Sequence, residues 1–178
     1  MGKRVCVFCG SSSGNNPQYI EEAKSFGESL HKEGHSLVYG AASVGIMGAV
    51  ADAILEKGGE ARGVIPKSIV DMEVAHEGLT EIEIVDSMHE RKQMMYDWSD
   101  VFVAIPGGMG TLDEFCEIVT WAQLRYHQKP CYILNVNGFY DHLIAHFKHI
   151  NKEGFLKDAH LELVKVVDTV DSFMESIG

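Results

Sequence analysis

Short, almost wholly apolar runs alternate along this chain with longer segments in which apolar residues return every three or four positions. The runs VCVFCG (5–10), LVYG (37–40), ARGVIP (61–66), EIEIV (81–85), VFVAIP (101–106), CYILN (131–135) and VKVV (164–167) have strand length and the continuity of buried strands. Between them a helical period appears near 17–33, 46–57, 88–98, 111–125, 139–152 and 169–177. This alternation predicts an α/β fold with a mainly parallel sheet of about seven strands, flanked by helices on both faces. In such a sheet, ligands bind beyond the carboxyl ends of the strands, where the strand order reverses. The stretch KSIVDMEVAHEGLT (67–80) keeps no period and is read as a mobile loop.

Three strands run into small-residue loops: CGSSSGNNP (9–17), YGAASVGIMG (39–48) and IPGGMGT (105–111). On one sheet edge they would form a wide, backbone-lined crevice that suits a nucleotide. The spacing of Gly40, Gly45 and Gly48 is not the G-x-G-x-x-G of a dinucleotide site, and GVIP (63–66) lacks the carboxylate such a site needs. In the third loop Gly107, Gly108 and Gly110 let backbone N–H groups approach an anion. Thr111 is expected to start a helix whose first N–H groups and dipole favour negative charge. No lysine completes a G-x-x-x-x-G-K-[ST] loop, so the natural guest is a single monophosphate. Thr111-Leu112-Asp113-Glu114 also matches a capping box, which leaves Glu114 two readings, helix cap or site carboxylate. Along this helix Leu112, Phe115, Cys116 and Val119 form the expected core face, with Glu114, Glu117 and Trp121 opposite. A Trp beside two carboxylates away from the core suggests a face covered by a ligand or a second subunit, hence a homodimer with sites near its interface.

The 178 residues, 46% apolar and 23% charged, fit one globular domain spanning 1–178. A formal charge of −11 argues against a nucleic-acid partner. The N-terminus lacks the apolar run of a signal peptide and no stretch is apolar enough to span a membrane, so the expectation is a soluble, cytoplasmic protein. Cys6 and Cys9 lie three apart in a strand, on opposite faces, and read as buried free thiols. The nine histidines show no metal-ligand spacing, and His142, His146 and His149 read as a solvated helix face, so no metal is assigned. Met88, Arg91 and Met95 share one helical face. Arg91 therefore sits against apolar surface, where a guanidinium is kept for an anionic or hydrogen-bonding partner.

Taken together, PGGMGTLDE (106–114), SMHERKQMM (87–95), GAASVGIMG (40–48) and EIVTWAQLRYHQKPCYILNVNGFYDHL (117–143) resemble the LOG ("Lonely guy") family of cytokinin riboside 5′-monophosphate phosphoribohydrolases. Many relatives carry the label "lysine decarboxylase-like". The resemblance spans roughly residues 4 to 157. It implies a Rossmann-like, doubly wound domain, usually dimeric, that hydrolyses the N-glycosidic bond of an adenosine-type 5′-monophosphate. It also implies that Arg91 and Glu114 are the catalytic pair. By the same resemblance Glu73, Lys92, Thr120 and the Gly108–Glu114 loop, with Met109, Gly110 and Thr111, would line the nucleotide site; Gly45, Met88 and Gly107 are further substrate-binding candidates, and no cofactor is expected. The family's usual G-G-G-S-V-G is here Gly40-Ala41-Ala42-Ser43-Val44-Gly45. Either the backbone at 41 and 42 has ordinary dihedrals and keeps its distance from the ligand, or substrate fit is altered. The decarboxylase label lacks support in the sequence, which offers no Schiff-base lysine with a partner for a pyridoxal ring nitrogen.

Breaking a ribosyl–base bond builds positive charge on the sugar, which a carboxylate at Glu114 would stabilise while Arg91 holds the base or the attacking water. The rival readings are a nucleotide-binding protein without catalysis and a nucleosidase acting on unphosphorylated substrates.

Overall fold

The computed structural model describes residues 2–70 and 74–178; Met1 and residues 71–73, Glu73 among them, lie outside the described residues. Seven strands form one parallel sheet: β1 (Arg4–Phe8), β2 (Ser36–Tyr39), β3 (Ala61–Pro66), β4 (Glu81–Val85), β5 (Val101–Ala104), β6 (Cys131–Leu134) and β7 (Val164–Val167). Their order is β4-β3-β2-β1-β5-β6-β7, so the sheet grows outward in opposite directions from the β1–β5 pair, in which Val5 registers with Val101 and Phe8 with Ala104. This is the expected doubly wound, Rossmann-like α/β architecture.

The described helices are α1 (Gln18–Lys32), α2 (Gly45–Glu56), α3 (Met88–Trp98), α4 (Met109–Gln123), α5 (Asp141–Lys152), the single turn α6 (Asp158–Leu161) and α7 (Val170–Ile177). Two apolar clusters sandwich the sheet. One unites Phe26 and Leu30 of α1, Ile46 and Ile54 of α2 and Phe173 of α7 with Val5, Val7 and Cys9. The other packs Met95 of α3 and Phe115 and Ile118 of α4 on Cys6, Phe8 and Phe102. Cys6 and Cys9 thus face opposite sides as buried free thiols. His142, His146 and His149 are exposed along α5.

Two expectations need correction. Helix α4 begins at Met109, two residues before Thr111, because Gly108 takes the extended backbone of an N-cap (φ −99°, ψ −151°). Its buried face is Thr111, Glu114, Phe115, Ile118 and Ala122, while Cys116 is exposed and Leu112 and Val119 are only partly buried. Trp121 packs edge-on against Tyr96 of the same chain at 5.4 Å, so it is not a bare outward face. Within the 67–80 stretch, the described residues Val74 and Ala75 are joined to the loop after β2: Ala42 and Ala75 form an antiparallel bridge, and Ser43 N–H and Oγ both donate to the Val74 carbonyl, at 3.0 and 2.7 Å.

Candidate active site

The connections leaving β1 and β5 diverge, and the crevice opens between them. Gly10, just past β1, donates its N–H to the Pro106 carbonyl and accepts at its own carbonyl from Met47 N–H, both at 3.1 Å, lacing together the three small-residue loops. Two glycines permit that approach. A Cβ on Gly107 would overlap Thr111 Oγ1 and stand 2.8 Å from Gly10 N. Gly45 adopts φ +64°, and a Cβ there would run into the Ser11 carbonyl. Gly45 therefore shapes the loop from beneath and does not line the crevice.

Among the described residues no side chain caps α4, and its first turn carries no acidic residue, so the N–H groups of Met109, Gly110 and Thr111 open the helix without helical acceptors. The Thr111 side chain is buried, and its hydroxyl has no hydrogen-bond partner among the described residues. A buried hydroxyl in that condition costs stability unless something outside the protein supplies the bond. Together these donors make an anion seat. One turn further on the same face lies Glu114, only 7% exposed. With the helix starting at Met109, Thr111 and Glu114 are its third and sixth residues, so Glu114 is too far along to reach the N-cap N–H and the capping-box reading fails.

Arg91 arrives from α3, whose start is held by Ser87 Oγ accepting from Glu90 N–H (3.2 Å) and by Glu90 accepting from Asp86 N–H (2.8 Å). The Arg91 side chain is 2% exposed, and its Nη2 donates to the Gly40 carbonyl at 2.8 Å. Arg91, Glu114, Thr111, Gly110, Met109 and Met88 line one lobe of the crevice, about 240 Å³ in volume. A second lobe of about 300 Å³ adjoins it across Gly10, Ser11 and Gly108, with Gly107, Tyr19, Ile46 and Phe139 on its walls. These sizes suit a small molecule. Cys9 borders the first lobe, but burial and then the Glu114 charge push its thiol far above the ordinary range, so it offers no thiolate at neutral pH.

Of the second lobe, the 9–17 loop and Gly107–Gly108 were legible, but the Tyr19–Phe139 wall was not. Tyr19 and Phe139 stand 120 residues apart and meet edge-to-face at 5.6 Å, and the only signal was the serine-rich loop's place after β1.

A model of the family described as "Possible lysine decarboxylase" matches residues 47–177. A probable cytokinin riboside 5′-monophosphate phosphoribohydrolase of Oryza sativa subsp. japonica is 46% identical over 154 residues, 86% of this chain and 69% of that protein. A cytokinin riboside 5′-monophosphate phosphoribohydrolase of Rhodococcoides fascians is 42% identical over 176 residues, 98% of this chain and 89% of that protein. The chain belongs to the LOG family. Among solved structures, a molybdenum cofactor carrier protein of Chlamydomonas reinhardtii superposes with a TM-score of 0.74 at 19% identity, covering 99% of this chain and 96% of that one, which speaks for the shared fold alone.

Within this LOG-family chain, the expected site residues separate. Arg91, Glu114, Met88, Gly107, Gly108, Met109, Gly110 and Thr111 meet at the crevice. Lys92 turns away from it. Its Nζ donates to Asp113 at 3.2 Å and Glu117 at 2.9 Å, tying α3 to α4. Burial alone would lower its pKa, but the hydrogen bonds to Glu117 and Asp113 outweigh that and raise it. Thr120 is exposed and donates its hydroxyl to the Cys116 carbonyl at 2.7 Å, away from both lobes. The two alanines that replace the usual LOG glycines are both fully buried and line neither lobe. The ordinary-dihedral option is wrong for Ala41, which takes φ +68°. Its methyl group is accommodated because β3 carries Gly63 beside it, where a Cβ would come within 2.5 Å of the Ala41 Cβ. Both methyl groups are absorbed in the core, outside the two lobes.

Proposed function

We propose that this LOG-family chain hydrolyses the N-glycosidic bond of adenosine-type nucleoside 5′-monophosphates, cytokinin riboside 5′-monophosphate or AMP, to free base and ribose 5-phosphate. The observation that carries the reading is the buried, unpartnered Thr111 hydroxyl at an uncapped helix start, one helical turn from the buried Glu114 carboxylate. The names of the LOG relatives support the substrate class.

The 5′-phosphate docks on the N–H groups at the start of α4 and on Thr111 Oγ1, fixing the ribose over Glu114. As the C1′–N bond breaks, its electron pair passes to the base and positive charge spreads over the ribose ring. The Glu114 carboxylate stabilises that charge and orients water, which gives its hydroxyl to C1′ and its proton to the base. Arg91, held by Gly40, steadies the base or the attacking water. No electrons leave the reactants, so the reaction calls for no cofactor. The active unit we propose is a cytoplasmic homodimer of a single domain that binds no nucleic acid. Among the described residues no helix is long and apolar enough to cross a membrane, and four cysteines are free. The edge strand β4 exposes Ile82 and Ile84, which a second copy would cover.

The pure protein incubated with AMP and with N6-prenylated AMP should release base and ribose 5-phosphate, while adenosine should react far more slowly. No release from either nucleotide overturns the hydrolase in favour of a nucleotide-binding module. Adenosine turned over as fast as AMP overturns the phosphate seat.

A further inference from the structure

The contact between β2's exit and α3 is tighter than a hydrogen bond alone requires. The bond from Arg91 Nη2 to the Gly40 carbonyl is buried and spans 51 residues of sequence. A Cβ built on Gly40 would overlap Nη2 itself and stand 3.0 Å from Cζ; its next neighbour is the flexible Met47 Cε at 3.2 Å. Gly40 is not among the residues with a left-handed φ, so alanine there meets no backbone strain. The glycine is demanded by the guanidinium, not by the turn.

We propose that Gly40 is a positioning residue for Arg91. Its carbonyl fixes one arm of the guanidinium, and its missing side chain leaves the space that the guanidinium fills. A plane held this way cannot swing along its flexible stem, so Arg91 meets the substrate in one orientation. The role in turnover rests on the hydrolase reading above; the contact itself does not.

The test is a cycle of Gly40→Ala, Arg91→Ala and the double variant, read by melting temperature and by turnover of the nucleotide monophosphate. Gly40→Ala should lower kcat on the order of thirtyfold or more in the wild-type background and less than about twofold in the Arg91→Ala background, with circular dichroism unchanged. It should also lower the melting temperature by several degrees with Arg91 present and by about none without it. An equal melting loss in both backgrounds, or full turnover by Gly40→Ala, overturns the proposal. If Gly40→Ala is insoluble, recovery of folded protein on adding Arg91→Ala supports it, and no recovery overturns it. Should the wild type itself hydrolyse neither nucleotide, the hydrolase reading falls while the melting cycle still decides on Gly40.

Discussion

Thr111 and Glu114 show how polar side chains can occupy the buried face of a helix when that face ends in a crevice. Because the Thr111 hydroxyl is buried without a protein partner, Thr111→Val, nearly the same shape, should leave the ligand-free melting temperature unchanged or raised. The same change should raise KM for the nucleotide about tenfold or more, the scale of one hydrogen bond to a charged group. Melting and steady-state rates on one preparation check both halves, and a destabilised variant with normal KM would remove Thr111 from the phosphate seat. Glu114→Gln keeps the volume and discards the charge. Turnover should fall on the order of a hundredfold while AMP affinity, by calorimetry, moves less than about tenfold. The adjacent Arg91 and Lys92 were legible as a pair, but not their division of labour. One residue is about 100° of helix rotation, which sends one cation to the crevice and the other to Asp113 and Glu117.

At the scale of elements, all seven strands fall where the apolar runs place them: the inner strands β1, β2, β3, β5 and β6 are largely buried, so their runs are nearly continuous, while the exposed edge strands β4 and β7 keep only an interrupted apolar pattern, EIEIV and VKVV. Helix α4 is the instructive error. Its start was misjudged because glycine signals a turn without saying which residue adopts the extended cap. Its face was misjudged because the rule that polar means outward fails where a site needs polar groups inside. The short α6 and the Tyr19–Phe139 wall of the second lobe stayed hidden for a different reason, being products of tertiary placement. The pairing of Ala41 with Gly63 is likewise invisible along the chain, yet it predicts a coupling between the β2 exit and β3. Gly63→Ala would crowd the Ala41 Cβ at 2.5 Å and Leu79 Cδ1 at 2.6 Å, costing about 1–3 kcal/mol and several degrees of melting temperature. Ala41→Gly should restore more stability in that background than it adds to the wild type. Equal gains in both would mean that only relief of the left-handed φ is at work.

Over the whole molecule, two buried histidines, His35 and His127, shape how it answers acid. His127 accepts the Lys129 N–H at Nδ1 (3.0 Å) while Nε2–H points at the Ile118 carbonyl (2.9 Å), and His35 accepts the Lys3 N–H at Nδ1 (3.1 Å). Burial, which penalises the charged imidazolium, is the main cause that lowers both pKa values, and the charges of Lys3 beside His35 and Lys129 beside His127 act in the same direction. A base whose folded pKa lies below its unfolded value binds fewer protons when folded. The stability it contributes is therefore whole above the unfolded pKa of about 6.5 and drains away as pH falls below it. Asp100, hydrogen-bonded by Arg4, has a lowered pKa against the pull of its own burial, and its contribution is lost only in the carboxylate range below about pH 4. The melting temperature should thus hold between pH 8 and 7, decline between about 6.5 and 5, and fall again in stronger acid. Neutralising part of the −11 charge on the way down acts in the opposite sense, by easing self-repulsion. His127→Gln separates the two effects because it leaves the surface charge in place while removing one buried base. Calorimetric scans at fixed ionic strength should show a shallower decline in that variant between pH 6.5 and 5, and an unchanged slope would take His127 out of the acid response.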